Sequence, residues 1–438
     1  MNPLEIWGGH ECTVNRIGET WRDQTRLTGH EDRLDDLDLF AGLGLKALRY
    51  PVLWERTERA RGHLDWAWPD ERLARIRELG VRPIAGLVHH GSGPAWTDLL
   101  DADFAPLLAE FAGRAAARYP WVKEWTPVNE PVTTARFSAL YGHWYPHRRD
   151  ERDFWLALIN QIDAVRLSMK AIRAVIPDAR LIQTEDIGTT WATGPCRDQA
   201  RFDNRRRLMS LDLLTGRVTS EHPLYARIAG LGLAKRLDQL AGDPTPPDVI
   251  GMNHYITSDR FLDHRLDRYP PETHGGNGAQ VYADVEAVRV VGDRPCGWNN
   301  SLRQLWRRYR LPLAVTECHL GCSENEQQAW LIQAWNAVRS ARRTGVDVRA
   351  LTVWSLLGAV DWDSLLTREA GRYEPGVFDI SDGQPRGRGV ADLVSRLVED
   401  AEDELDERPP LIGWWDRSER LLYPPFVRRS AMSDIRQT

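Results

Sequence analysis

The sequence predicts a closed α/β barrel, a (β/α)₈ or TIM barrel with insertions over the face where its strands end. Three observations predict it. Eight short apolar, β-rich runs recur along the 438 residues, separated by longer segments whose apolar residues repeat at three- and four-residue spacing, the period of a helix with one buried face. Helical segments stop on a glycine with the next strand close behind, as in "ELGVRP" and "RTGVDV", the usual helix terminator. The first strand is not followed by the G-x-G-x-x-G of an open, doubly wound sheet, which is the competing α/β arrangement.

Taken in order, the strands are expected in "LEIWGG" (4–9), "ALRYPV" (47–52), "RPIAGLV" (82–88), "EWTPVNE" (124–130), "RLIQTED" (180–186), "DVIGMNHY" (248–255), "LAVTEC" (313–318) and "RALTVWSL" (349–356). Between them "PDERLARIRELG", "FAPLLAEFAGRAAARY" and "NEQQAWLIQAWNAVRSARRTG" carry the helical period. The gaps 186–248 and 255–313 exceed what one helix needs, so they are expected to hold the insertions. Residues 1–400 then form one barrel domain. The stretch 401–438 turns acidic, then reads "ERPP" and "LLYPPFVRRS", the composition of an arm or linker.

Composition excludes several function classes. A net charge of −6 offers no basic surplus for phosphate backbones, so nucleic acid is not an expected partner. No run of 18 or more apolar residues is present, which predicts no membrane span, and the N-terminus lacks the basic and apolar regions of a secretory signal. Five cysteines form a sparse, odd set, which fits a reducing cytoplasm. Nineteen tryptophans are many; most serve a core, but a flat apolar face with one N–H donor also suits sugar rings.

In such a barrel, function collects where the strands end. Reading those ends in order gives Trp7 and Asn15, Arg49 with Trp54, His89 and His90, Asn129 with Glu130, Glu185 and Asp186, Asn253 with His254 and Tyr255, Glu317, then Trp354 followed by Asp361 and Trp362. Two carboxylates dominate this set. Glu130, in "WTPVNEP", closes the fourth strand and Glu317, in "AVTECHLG", the seventh. Cleaving a glycosidic bond takes two carboxyl groups, one to protonate the departing oxygen and one to attack the anomeric carbon or activate water. Arg49 is placed to keep Glu317 charged, and Tyr255 to bond to it. Glu185 and Asp186 read as support or a helix cap. The residues His89, His90, Cys318, His319 and Cys322 match no zinc spacing, so neither metal nor cofactor is expected.

Five segments, each on an expected strand, resemble the signatures of glycoside hydrolase family 1, the β-glucosidase-like retaining enzymes, over most of residues 4–380. "WTPVNEP" resembles T-x-N-E-P, "AVTECHLG" resembles V-T-E-N-G, "LRYPVLW" resembles R-F-S-I-S-W, "GMNHY" resembles G-x-N-Y-Y, and "VWSLLGAVDW" resembles V-W-S-L-L-D-N-F-E-W. The resemblance implies Glu130 as acid/base and Glu317 as nucleophile, supported by Arg49, Asn129 and Tyr255. It implies Asn15, His89, Asn253, Trp354, Asp361 and Trp362 as substrate-binding residues.

The chain also departs from that pattern. Asn15 stands where a glutamine is usual, His90 where a tryptophan follows the histidine, Cys318-His319 where Asn-Gly follows the nucleophile, and Asp361 where a glutamate grips O4 and O6. Asp361 also opposes a 6-phosphate, which predicts a neutral innermost sugar in a wider pocket. A second reading is a barrel that binds sugar without cleaving it, allied to nucleotide-sugar metabolism of the dTDP-rhamnose type. Retention of both glutamates favours the hydrolase, with a glycoside or oligosaccharide as its partner. The sequence is also compatible with a homo-oligomer.

Overall fold

A computed structural model describes residues 3–292, 297–402 and 407–426. All eight expected strands are present: β1 (Glu5–Gly9), β2 (Ala47–Pro51), β3 (Arg82–His89), β4 (Glu124–Asn129), β5 (Arg180–Asp186), β6 (Val249–Asn253), β7 (Leu313–Cys318) and β8 (Val348–Val353). They pair in parallel around a closed barrel, β8 returning to β1 through Glu5↔Ala350. The sequence reading ran β4, β6 and β8 one to three residues too far. At Glu130 the backbone switches to φ 45°, and beyond Asn253 and Val353 the chain likewise leaves the ladder over the barrel mouth. Glu130, Tyr255 and Trp354 are among the overrun residues, since a side chain at the mouth sits on the turn that leaves the strand.

The barrel floor is closed by Trp7, Ala47, Ile84, Ile182, Val249, Ala314 and Ala350 from seven different strands. Trp7 lies level with Ala47, the first residue of β2, and donates to Glu5 Oε2 at 2.6 Å. It therefore plugs the barrel at the end away from Glu130 and Glu317 and is not a sugar platform, contrary to its reading as a strand-end group. One indole with small residues around it fills a barrel interior that eight large side chains would overpack.

The helices include α1 (Phe104–Arg118), α2 (Pro131–Ala135), α3 (Glu151–Val175), α4 (Arg197–Arg206), α5 (Glu324–Arg343) and α6 (Gly389–Glu402). α1 buries Phe104, Leu108, Phe111, Ala112 and Ala115 at helical spacing. A Cβ at its Gly113 would already touch Ala171 of α3, so glycine and alanine set how closely the two helices approach. α3 starts where the Asp150 carboxylate accepts the Asp153 N–H at 3.0 Å, satisfying one orphan donor of its first turn.

The two long gaps hold the expected insertions. Thr190–Ala192 from the first gap joins Arg260–Asp263, His274–Gly276 and Val281–Glu286 from the second in one four-stranded sheet. A hairpin, Val14–Ile17 with Thr20–Asp23, follows β1. The expected boundary at residue 400 falls inside α6. The described part of the tail lies against the barrel: Trp415 packs on Trp330 of α5, the Arg420 guanidinium donates to Val288 and Val291 carbonyls, and Phe426 packs on Phe261. Residues 427–438, the rest of the expected arm, lie outside the described residues.

Candidate active site

Glu130 and Glu317 both sit at the barrel mouth, 4 % and 2 % exposed, values that demand partners for any charge they carry. Glu317 has them. Arg49 Nη1 donates to its Oε1 at 2.9 Å and to the Thr316 carbonyl at 2.7 Å, and the Tyr255 hydroxyl donates to Oε2. Glu130 has weaker support: the Asn253 amide donates to Oε1 at 2.5 Å, and His90 Nε2 stands 3.8 Å from Oε2. Asn253 is itself locked, its Oδ1 accepting from the Thr316 hydroxyl at 2.7 Å.

The same difference appears in their proton affinities. Burial raises Glu130 well above the ordinary carboxyl range, and the charges of Glu317, Asp186 and Glu185 push it further, against the Asn253 bond. Burial also raises Glu317, but Arg49 and Tyr255 pull it back. Two carboxyl groups driven apart in this way take different protonation states at one pH, which acid and nucleophile roles require.

Asn129 joins the second shell of contacts. Its Oδ1 accepts from Arg49 Nη2 at 2.8 Å and from the Thr184 hydroxyl at 2.7 Å, so its NH₂ faces His89 Nε2 at 3.1 Å and His90 Nε2 at 3.3 Å. Both Nε2 atoms must then accept, which leaves the proton of each neutral ring on Nδ1. His90 Nδ1 meets the Thr134 hydroxyl at 3.1 Å. Burial first, and then the Arg49 charge, lower His90 to about 3, so it adds no cation beside Glu130. His89 stacks flat on Trp354 with centroids 5.6 Å apart, and Arg49 caps the same indole at 4.6 Å. His90, Glu130 and Asp361 all hold left-handed backbone (φ 57°, 45° and 60°), strain of the kind that collects at functional sites.

Asn15 is buried, its Nδ2 without a partner among the described residues, and it pairs across the hairpin with Arg22. Trp362 stands edge-on to His90 (centroids 5.5 Å apart) and near Trp144 (6.2 Å), its Nε1 also without a partner among the described residues. Asp361 corrects the sequence reading. It is fully buried, and its carboxylate is taken by the Arg22 guanidinium, the Ala370 N–H at 3.2 Å and the Arg372 N–H at 2.8 Å. It does not offer a free carboxylate to a sugar, and the inference of a wider O4/O6 pocket, drawn from its shorter side chain, loses its basis. Trp54 is likewise core, wholly buried and bonded to Glu58 at 2.7 Å. His254 is held by the Ile187 carbonyl against Trp298. Glu185 accepts from the Val132 N–H at 3.0 Å, so it caps the start of α2, which directly follows Glu130.

One site residue escaped the sequence reading. Glu11 accepts from Trp354 Nε1 at 3.3 Å and from the Thr13 N–H at 3.0 Å. Burial and the Glu317 charge raise it to about 7. Its signal was a lone carboxylate in "GGHECTV", where every neighbour is buried. His319 faces Glu374 at 3.6 Å, and among the described residues no group of three or more His, Cys, Asp or Glu is placed to hold a metal ion.

Comparison with known proteins bears on this geometry directly. The pattern described as Glycosyl hydrolase family 1 matches residues 29–373. The chain belongs to glycosyl hydrolase family 1. It is 25% identical over 462 residues to Beta-glucosidase 4 of Oryza sativa subsp. japonica, covering 92% of this chain and 91% of the relative. It is 23% identical to a 6-phospho-beta-glucosidase of Dickeya chrysanthemi, covering 82% of each. The family 1 β-glucosidase structure from Thermotoga maritima superposes with a TM-score of 0.72 at 17% identity, covering 91% of this chain and 98% of that one, a likeness of fold. The family member described here is thus a β-glycosidase-class glycoside hydrolase on a (β/α)₈ barrel. Among its described residues no helix is long and apolar enough to cross a membrane.

Proposed function

We propose that Glu130 is the acid/base and Glu317 the nucleophile of a retaining β-glycosidase whose innermost subsite takes a neutral sugar. The observation that carries the assignment is the unequal support of the two carboxyls: a guanidinium and a phenol on Glu317, a single neutral amide on Glu130. Glu130 Oε1 is occupied by Asn253, so the transferable proton belongs on Oε2. In the first step a Glu317 oxygen bonds to the anomeric carbon as the C–O bond to the leaving group breaks, and the Glu130 proton passes to that oxygen. In the second step Glu130 takes a proton from water, whose oxygen displaces Glu317 from the same carbon. Two inversions leave the configuration unchanged.

A neutral sugar is supported by the state of the local cations. Arg49 is engaged by Glu317 and Asn129, and Arg22 by Asp361 and Glu369, so neither guanidinium is left for a sugar phosphate. Asn15 Nδ2 and Trp362 Nε1 are the donors we assign to sugar hydroxyls, with His89 and Trp354 as the ring-facing wall. The sparse cysteines, of which Cys12, Cys196, Cys318 and Cys322 are free, support a cytoplasmic location. The test is trapping with a 2-deoxy-2-fluoro glycoside followed by peptide mass mapping. A stoichiometric adduct on Glu317 is expected; hydrolysis with the adduct elsewhere would sink the assignment.

A further inference from the structure

Five arginines, Arg136, Arg206, Arg207, Arg227 and Arg260, border a cavity of about 410 Å³ between α2, α3, α4 and the four-stranded sheet. Only three carboxylates line it. They neutralise three of the guanidiniums: Asp203 lies 2.8 Å from Arg206, Asp284 2.8 Å from Arg260, and Glu151 pairs with Arg227. Arg207 reaches out of the cavity to Asp186 at 3.4 Å and the Ser258 carbonyl at 2.6 Å.

Arg136 is left over. Among the described residues it has no ion-pair partner; its Nη2 meets only the Tyr141 hydroxyl at 3.5 Å, and its buried Nε has no partner. The aromatic faces of Phe137 and Tyr141 lie 5.7 and 5.4 Å from its guanidinium. Against its burial, the charges of Tyr141, Asp186 and Asp203 favour the Arg136 cation, yet neither carboxylate pairs with it directly, and a guanidinium presents a fork that fits carboxylate or phosphate oxygens. The local field registers on Tyr141: burial opposes its ionisation, yet Arg136 and Arg206 outweigh it and lower the phenol to about 8.

The cavity also neighbours the acid/base along the chain. Val132, two residues after Glu130, lines it, and Arg207 on its wall holds Asp186, whose charge is among those raising Glu130. We infer that this cavity is an anion site for the leaving-group portion of the substrate, with Arg136 and Tyr141 gripping a carboxylate or phosphate. The inference rests on the reading of Glu130 as the group that protonates the leaving oxygen. It concerns a site separate from the innermost sugar, which stays neutral.

The test has a binding arm and a kinetic arm. Titration calorimetry at constant ionic strength would compare phenyl phosphate, benzoate and benzyl alcohol against wild type, Arg136→Met and Arg136→Lys. Saturable binding of phenyl phosphate, benzoate or both is expected in wild type, at least tenfold weaker in Arg136→Met and intermediate in Arg136→Lys. The two anions separate phosphate from carboxylate recognition. In the kinetic arm, kcat/KM for a 4-carboxyphenyl glycoside relative to its 4-methoxyphenyl counterpart should fall at least tenfold in Arg136→Met if the site accepts carboxylates. If Arg136→Met fails to fold, the Arg136→Lys comparison carries both arms. Anion binding that is unsaturable, matched by benzyl alcohol or unchanged in Arg136→Met overturns the site. Cleavage without anion binding overturns it and leaves the hydrolase reading intact, while anion binding without cleavage of either glycoside does the reverse.

Discussion

Replacing Arg49 with methionine tests the electrostatic design around Glu317, the proposed nucleophile. The guanidinium lies 2.9 Å from Glu317 Oε1, and two unit charges at that distance attract by about 6 kcal/mol at an effective dielectric of about 20. Most of this is offset by the cost of desolvating both groups. What survives for carboxylates beside a cation is a displacement of about 1–3 pH units, each worth about 1.4 kcal/mol. Tyr255 remains in the variant and holds Oε2, so a value near the middle of that range is expected. The acid limb of the kcat/KM profile, which reports ionisation of the nucleophile in free enzyme, should therefore move up by about 2 pH units. The assay is hydrolysis of an activated aryl glycoside from pH 4 to 9, with Arg49→Lys as the charge-retaining control expected to move much less. An unmoved acid limb in Arg49→Met, with the protein folded, would refute the view that Arg49 maintains Glu317 as the carboxylate.

Other consequences concern roles, substrate and stability. Glu317→Ala should abolish hydrolysis and recover turnover with azide or formate, whereas Glu130→Ala should lose about 10²–10⁴-fold on poor leaving groups and little on dinitrophenyl ones. Equal losses on both substrate types in both variants would mean the roles are misassigned. Matched neutral and 6-phospho aryl glycosides should favour the neutral form, because Arg49 and Arg22 are already engaged; a tenfold preference for the phosphorylated form overturns this. Glu55 is raised to about 8 by burial, with Gly93 N–H as a bonded donor and Oε2 unpartnered. The fold thus retains a proton that the unfolded chain has lost, so this contribution is full below about 4.5 and disappears as pH rises to about 8, at up to about 1.4 kcal/mol per pH unit. Glu11 and Glu185, raised to about 7, act in the same sense. Buried His10, His89 and His90 act oppositely but only below about 6.5. Thermal unfolding should therefore show Tm falling between pH 6.5 and 8, and falling less in Glu55→Gln; an unchanged slope in the variant counts against the buried proton.

Local physics carried most of the sequence reading. The helical period, the glycine stops and the short β-rich runs are properties of neighbouring residues, so the eight strands and their order could be read before any contact was known. Glu130 and Glu317 were legible for the same reason: a glutamate at the end of an apolar strand has few explanations, and two of them at β4 and β7 have fewer. Residues such as Arg49 and Tyr255 followed from their places at other strand ends, since a closed barrel brings all such ends to one mouth.

Tertiary structure decided what each neighbouring group was free to do. Asp361 looked like a sugar ligand until Arg22, 339 positions away, was seen to hold its carboxylate. Glu11 looked unremarkable until Trp354, 343 positions away, held it within reach of the Glu317 charge. Trp7 and Trp54 share the residue type of Trp354 yet fill the floor and the core. Arg136 reads as one arginine among many until its neighbours are paired with carboxylates and it is not. The chain encodes local conformation through residues within a few positions of one another, but a side chain's solvation and its partners come from residues hundreds of positions apart. Only the closed barrel makes those residues neighbours, and burial then turns their polar atoms into strong, selective interactions.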